Sequence, residues 1–288
     1  MRNVQSMIAG VLLSVGVLFL SSCSSSKDAV ENIDAEDRFA LGKQEFDEGD
    51  YVDAIRDFQI VTIQFQGSAV ADDAQYYLAE SYYERHEYIL AASEYETLIR
   101  RMRSSELVPL AQYKRAMCYY RMSPRTALDQ RYTKKAIDAF QEFIEYNPIH
   151  QFVPDAEAKI RELNNKLALK MYNTARLYVR MDQHKSAQFY FEHLLERYHD
   201  SDWADDAHIG LVEVLVARKR YPEANEMIER FFIRFPDSPL MTRAENLRND
   251  VNSKLNQNLD QIPETASPSK GMSTPDVNSY FIHDAWHK

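Results

Sequence analysis

Glycine is scarce in this chain, seven in 288 residues, and too scattered to build the glycine-rich turns that cradle phosphates or open a dinucleotide-binding fold. No Gly-x-Ser-x-Gly nucleophile elbow occurs. Extended runs of alternating apolar and polar residues, the mark of half-buried strands, are also missing. The one long apolar stretch, 7–20, falls short of the ~20 residues that a bilayer-spanning helix needs. Cysteine occurs twice, as Cys23 and Cys118. Positive charge is in deficit: 34 Lys and Arg stand against 44 Asp and Glu, a formal net charge of −10. A chain of that sign has no general electrostatic affinity for nucleic acid or for anionic lipid heads, so neither is an expected partner through charge.

What the N-terminus does contain is an address. Arg2 precedes the apolar run 7–20, and small residues then lead to a cysteine in Leu20-Ser21-Ser22-Cys23. This resembles the bacterial lipobox, in which the thiol is acylated and the chain is cut just before it; the alternative is an ordinary signal that happens to contain a cysteine. Cleavage would remove Arg2 and take the formal charge from −10 to −11. With Cys23 acylated, Cys118 would be left alone, so no intramolecular disulfide is possible and packing must hold the fold. The expected organisation is a signal peptide at 1–22, a small, polar tether at 23–34, a repeat domain at 35–252 and a tail at 253–288. In that tail the periodicity stops and Pro263, Pro268, Gly271 and Pro275 gather, a composition that suits disorder. Tyr280-Phe281-Ile282 and Trp286 are apolar again, as a docking segment or as part of a mobile tail.

Between the ends one pattern recurs: a small residue followed by large apolar residues four, seven and eleven positions on. The copies are Ala54, Phe58, Val61, Phe65; Ala91, Tyr95, Leu98, Met102; Ala136, Phe140, Phe143, Asn147; Ala187, Phe191, Leu194, Tyr198; and Ala224, Ile228, Phe231, Phe235. Such spacings keep the side chains on one helical face. Twelve positions earlier stand Gly42, Ala79, Ala175 and Val212, with Ala116 displaced by an insertion in the third copy. Each copy is therefore a helix pair with close approach at two small positions. This resembles the tetratricopeptide repeat, whose period is ~34 residues. The Ala-to-Ala distances are 37, 45, 51 and 37. The 45 contains the loop from Ser123 to Gln130, and the 51 a lengthened helix, Asp155 to Met181, free of Pro and Gly. The expected fold is all-α, a tetratricopeptide-repeat superhelix of about five helix pairs.

Chemistry-bearing constellations do not accompany the repeat, so no enzyme, cofactor or metal is expected. Cys118 sits mid-helix as a small buried residue. His283 and His287 are four apart but have no third ligand. The other histidines (His86, His150, His184, His193, His199, His208) are expected at turns or on exposed helix faces. Asp72-Asp73 and Asp205-Asp206 fall at helix starts, where they oppose the macrodipole favourably.

A solenoid of helix pairs offers a concave surface lined by the first helix of each pair. Positions three before and four after the small residue lie on one face: Phe39 and Phe46, Tyr76 and Tyr83, Tyr113 and Tyr120, then Tyr172 and Val179, Ile209 and Val216. The six aromatics of the first three repeats form the candidate peptide groove, since rigid rings bury much area at low entropic cost. The same spacing equally serves packing against the neighbouring helix. Lys43, Glu80, Glu84, Arg121, Arg176 and Arg180 lie among these positions and could select a partner.

The lipobox, the tether and the five repeats together resemble the BamD family, the outer-membrane protein assembly lipoproteins of Gram-negative bacteria. The likeness is best in Lys135-Ala136-Ile137-Asp138-Ala139-Phe140-Gln141-Glu142-Phe143, in Tyr146-Asn147-Pro148, and along the helix through Asp155-Ala156, Leu163, Leu167-Ala168 and Ala175-Arg176-Leu177-Tyr178. It spans about residues 20–250. The resemblance implies a non-enzymatic lipoprotein on the periplasmic face of the outer membrane, within the machinery that assembles β-barrels. Its N-terminal repeats would receive C-terminal segments of unfolded outer-membrane proteins, and its C-terminal repeats would dock on POTRA domains of the barrel-forming subunit. Ser24-Ser25, with no Asp after Cys23, suits outer-membrane sorting. The long tail departs from compact members. The alternative is another periplasmic repeat lipoprotein that scaffolds cell-envelope complexes.

Overall fold

The computed structural model describes residues 33–260, with side chains through 257. The signal peptide, Cys23, nearly all of the tether, His283, His287 and the tail from 261 onward lie outside the described residues. Among the described residues there are eleven α-helices and no strand: α1 (Ala35–Glu48), α2 (Tyr51–Gln64), α3 (Ala71–Glu84), α4 (Tyr88–Arg101), α5 (Val108–Arg121), α6 (Arg131–Tyr146), α7 (Val153–Arg180), α8 (His184–Arg197), α9 (Ala204–Ala217), α10 (Tyr221–Arg234) and α11 (Met241–Asp260). The all-helical class follows from the pattern that the sequence carries.

The repeat positions form the core. Ala54, Phe58 and Val61; Ala91, Tyr95 and Leu98; Ala136, Phe140 and Phe143; Ala187, Phe191 and Leu194; and Ala224, Ile228 and Phe231 are all 0% exposed. The paired small positions Gly42, Ala79, Ala116, Ala175 and Val212 are buried too. Gly42 shows why they are small: a Cβ there would lie 3.0 Å from Cε1 of Phe58. The fourth member of each copy caps its helix instead, as Phe65, Met102, Asn147, Tyr198 and Phe235 do.

In four of the five pairs the chain reverses between the two helices through one left-handed residue, five positions before the small residue. These are Gly49 (φ 87°), His86 (φ 63°), Asp182 (φ 57°) and Lys219 (φ 59°). Glycine adopts this conformation at no steric cost, histidine and aspartate tolerate it, and lysine at 219 is strained.

The described residues divide into two compact units that meet between 170 and 171, inside α7. In the first unit successive helices from α1 to α6 pack on one another, and α1 also touches α3. The insertion between α5 and α6 is ordered by side chains. Gln130 Nε2 donates to the carbonyls of Arg125 (2.9 Å) and Leu128 (3.0 Å), while Lys166 and Lys170 of α7 reach Ser123 Oγ (2.9 Å) and the Leu128 carbonyl (2.6 Å). In the second unit α8 to α11 pack in succession, and α9 also touches α11. Helix α7 runs for 28 residues, beginning two residues before the expected start and ending one before the expected end. Helix α11 runs past 252, the expected end of the repeat domain. Its buried Ala244 and Val251 hold it to the unit, and no Pro or Gly interrupts the chain before Pro263.

Candidate functional site

The six candidate rings divide by register. Those three positions before the small residue face inward. Tyr113 is 9% exposed; its ring stacks on Phe152 at 4.6 Å and its hydroxyl donates to Asp155 at 2.6 Å. Tyr76 is 8% exposed, against Tyr77 and Tyr95, and the Glu80 carboxylate acts on it. Burial, aided by these carboxylates, raises both phenols well above the usual tyrosine range. The groove assignment is therefore corrected for Tyr76 and Tyr113: Tyr95 of α4 covers the first and Phe152, just before α7, the second, and both are core. Phe39 is half-buried between Phe58 (5.8 Å) and Tyr77 (6.0 Å).

The rings four positions after the small residue, Phe46, Tyr83 and Tyr120, are half-buried, and each carries a cation. Lys43 Nζ lies 5.8 Å from the Phe46 centroid and 5.1 Å from that of Tyr77. Lys114 Nζ lies 5.3 Å from Tyr83, whose hydroxyl accepts from Arg121 Nε at 3.1 Å. Lys159 Nζ lies 4.7 Å from Tyr120, whose hydroxyl donates to Glu162 at 2.7 Å. Burial and Glu162 push the Tyr120 phenol up to about 12. A cation over a ring contributes ~0.5–1 kcal/mol at an exposed site.

These contacts join the rings into two groups. Phe39 and Phe46 meet on Tyr77 (6.0 and 5.3 Å), which adjoins Tyr76. Tyr83 is tied through Arg121 to the end of α5, next to Tyr120. Lys114 also donates to the buried Glu80 at 2.8 Å, and Glu80 accepts from the Tyr95 hydroxyl. Tyr77, Lys114 and Lys159 were not legible as site residues. Tyr77 follows Tyr76 directly, and the two lysines act only through α5 and α7, far away in sequence.

Elsewhere the surroundings are structural. Cys118 is wholly buried, and burial together with the Glu80 carboxylate pushes its thiol up to about 12, which keeps it from acting as a nucleophile. His208, expected at a turn or an exposed face, is instead 4% exposed; its Nε2 faces the Met227 carbonyl at 2.7 Å and its ring packs between Phe231 and Phe235. In the second unit Tyr172 packs on Trp203 at 5.4 Å, and Ile209 is 1% exposed. Among the described residues no group of three or more His, Cys, Asp or Glu is placed to hold a metal, and no helix is long and apolar enough to cross a membrane.

The sequence pattern of the outer membrane lipoprotein (YfiO) family matches residues 31–187 and 181–280. The chain belongs to this family. Within it, the outer membrane protein assembly factor BamD of Caulobacter vibrioides is 28% identical over 145 residues, which cover 49% of this chain and 48% of the relative. The chain thus spans about half the length of that curated relative. Among solved structures, the TPR2AB domain of yeast Sti1 in its pHSP90 complex is 14% identical with a TM-score of 0.41, covering 78% of this chain and 86% of that one. A tetratricopeptide repeat protein from Parabacteroides merdae is 16% identical with a TM-score of 0.33, covering 78% and 75%. Membership in this family, together with the BamD relative, associates the chain with the outer membrane and with a BamD-like family of assembly factors.

Proposed function

We propose that this lipoprotein is a non-enzymatic scaffold of β-barrel assembly. It receives C-terminal segments of unfolded outer-membrane proteins on the aromatic face of its first unit and docks on POTRA domains through its later repeats. Acyl chains on Cys23 hold it on the periplasmic face of the outer membrane. The observation that carries this reading is the row of half-buried rings with cations, Phe46 with Lys43, Tyr83 with Lys114 and Arg121, and Tyr120 with Lys159. A peptide that ends in aromatic and apolar residues can pack there, and its terminal carboxylate would compete with Asp47 and Glu80 for Lys43 and Lys114.

The test is fluorescence anisotropy with labelled C-terminal barrel peptides. Tyr83→Ala combined with Tyr120→Ala is expected to weaken binding roughly tenfold, about 1.4 kcal/mol, with helicity unchanged. Unaltered affinity rejects this surface. For the anchor, Cys23→Ala is expected to abolish labelling with palmitate, and retained label in that variant removes the lipidated cysteine from the scheme.

A further inference from the structure

Helix α2 places a charge inside its apolar stripe. Asp57 lies between Ala54 and Phe58, wholly buried, where α1 meets α2. Its Oδ1 accepts from Arg38 Nη1 at 3.1 Å, and Arg56 Nε stands 3.6 Å from the same oxygen. Arg56 is divided further, contacting Asp53 at 2.8 Å and Glu45 Oε1 at 3.5 Å. Three carboxyl groups thus face two guanidinium groups. Two oxygens, Glu45 Oε2 and Asp57 Oδ2, are buried without a hydrogen-bond partner, and both side chains crowd the one Arg56 guanidinium. Two facing carboxylates repel, and a buried oxygen without a donor is costly. One proton on Glu45 relieves both penalties.

We propose that a proton held on Glu45 beside the buried Asp57 latches α1 to α2, and that its loss loosens α1 together with the Phe39 and Phe46 rings it carries. As regulation of the peptide face, this rests on the function proposed above; as a property of the first helix pair, it stands by itself. Burial first, and then Asp57, push Glu45 from its usual range up to about 7; Asp53 adds to this and Arg56 opposes it. Lys43 is committed to Asp47 on the same helix. The charges acting most strongly on Glu45 are Asp57, Arg56 and Asp53, all on α2. Because the folded value is raised, the proton's contribution is complete below the unfolded value of 4.5 and is lost as pH rises towards about 7.

The test follows the Glu45 carboxyl carbon by NMR in the full mature chain. A midpoint near 7 is expected, and one near 4.5 overturns the latch. In parallel, amide protection over 35–64, corrected for intrinsic exchange, is expected to fall roughly ten- to thirtyfold between pH 5.5 and pH 8. In Glu45→Gln, whose amide supplies a permanent donor, that fall is expected to vanish. Equal wild-type protection at both pH values overturns the latch, and if the variant does not fold, the wild-type titration decides. Both readouts use the protein alone, so their failure is distinct from a failure of peptide binding.

Discussion

The two units carry the same repeat with different chemistry on their first helices. In the first unit α3 and α5 bury polar groups: Gln75, Glu80, Ser81, Gln112 and Arg115, with Arg115 paired to Glu96 and, at 2.6 Å, to Glu142. In the second unit the corresponding α9 buries Ile209, Leu211, Val212, Val214 and Leu215, and His208 is its one buried titratable side chain. An aliphatic helix buried on several faces has few side chains left to offer a ligand. In the first unit cations sit over half-buried tyrosines, Tyr83 and Tyr120, whereas in the second they sit over phenylalanines, Phe232 under Arg248 and Phe235 under Arg234. Repeat geometry therefore sets where helices sit, while the identity of the non-repeat positions decides which surface can recognise anything.

The sharpest break of this contrast is expected in the apolar unit. Phe191 is 0% exposed and fills the space over Gly210, where a Cβ would lie 2.5 Å from its Cζ. Phe191→Ala is expected to destabilise by about 4 kcal/mol, read as a lowered urea midpoint, because the ring leaves a cavity its neighbours fill only in part. A loss below about 1 kcal/mol would mean that the second unit repacks and is not held by its repeat core. Smaller and opposite in sign is Lys219→Gly. It relieves the left-handed strain at φ 59° and is expected to stabilise by about 1 kcal/mol, whereas Gly49→Ala at the matching turn of the first unit is expected to destabilise.

The mildest effect separates the units by pH. Burial lowers the His208 pKa from 6.5, so the folded state favours neutral imidazole. The stability that this provides is present above 6.5 and is lost as pH falls through it, opposite in sense to Glu45 in the first unit. Hydrogen exchange at pH 5.5 and pH 7.5 is expected to show the second unit losing protection on acidification, and His208→Gln to reduce that loss. Identical pH responses in the two units would erase the distinction.

How much of this the sequence discloses depends on the kind of residue. Ala54, Phe58 and Val61, and their counterparts, were legible because small and large side chains at helical spacing have few other uses. Tyr76 and Tyr113 were misplaced because spacing gives a face of one helix but not what covers that face. Phe152 and Tyr95 do the covering, and both are distant in the chain. Asp57 could have been found: it stands three positions after Ala54, in the apolar stripe, and a charge there demands a partner. His208 offered no comparable signal, since its acceptor is a backbone carbonyl 19 residues away.

The loop between α5 and α6 is tied down although much of it lies at the surface, with only Gln130 buried. Its carbonyls and the Ser123 hydroxyl are the receptors for two lysine ammonium groups on α7 and for the amide of Gln130. Shortening it to the standard repeat length would strand the two lysines, so relatives that lack the extra residues should differ at 166 and 170 as well.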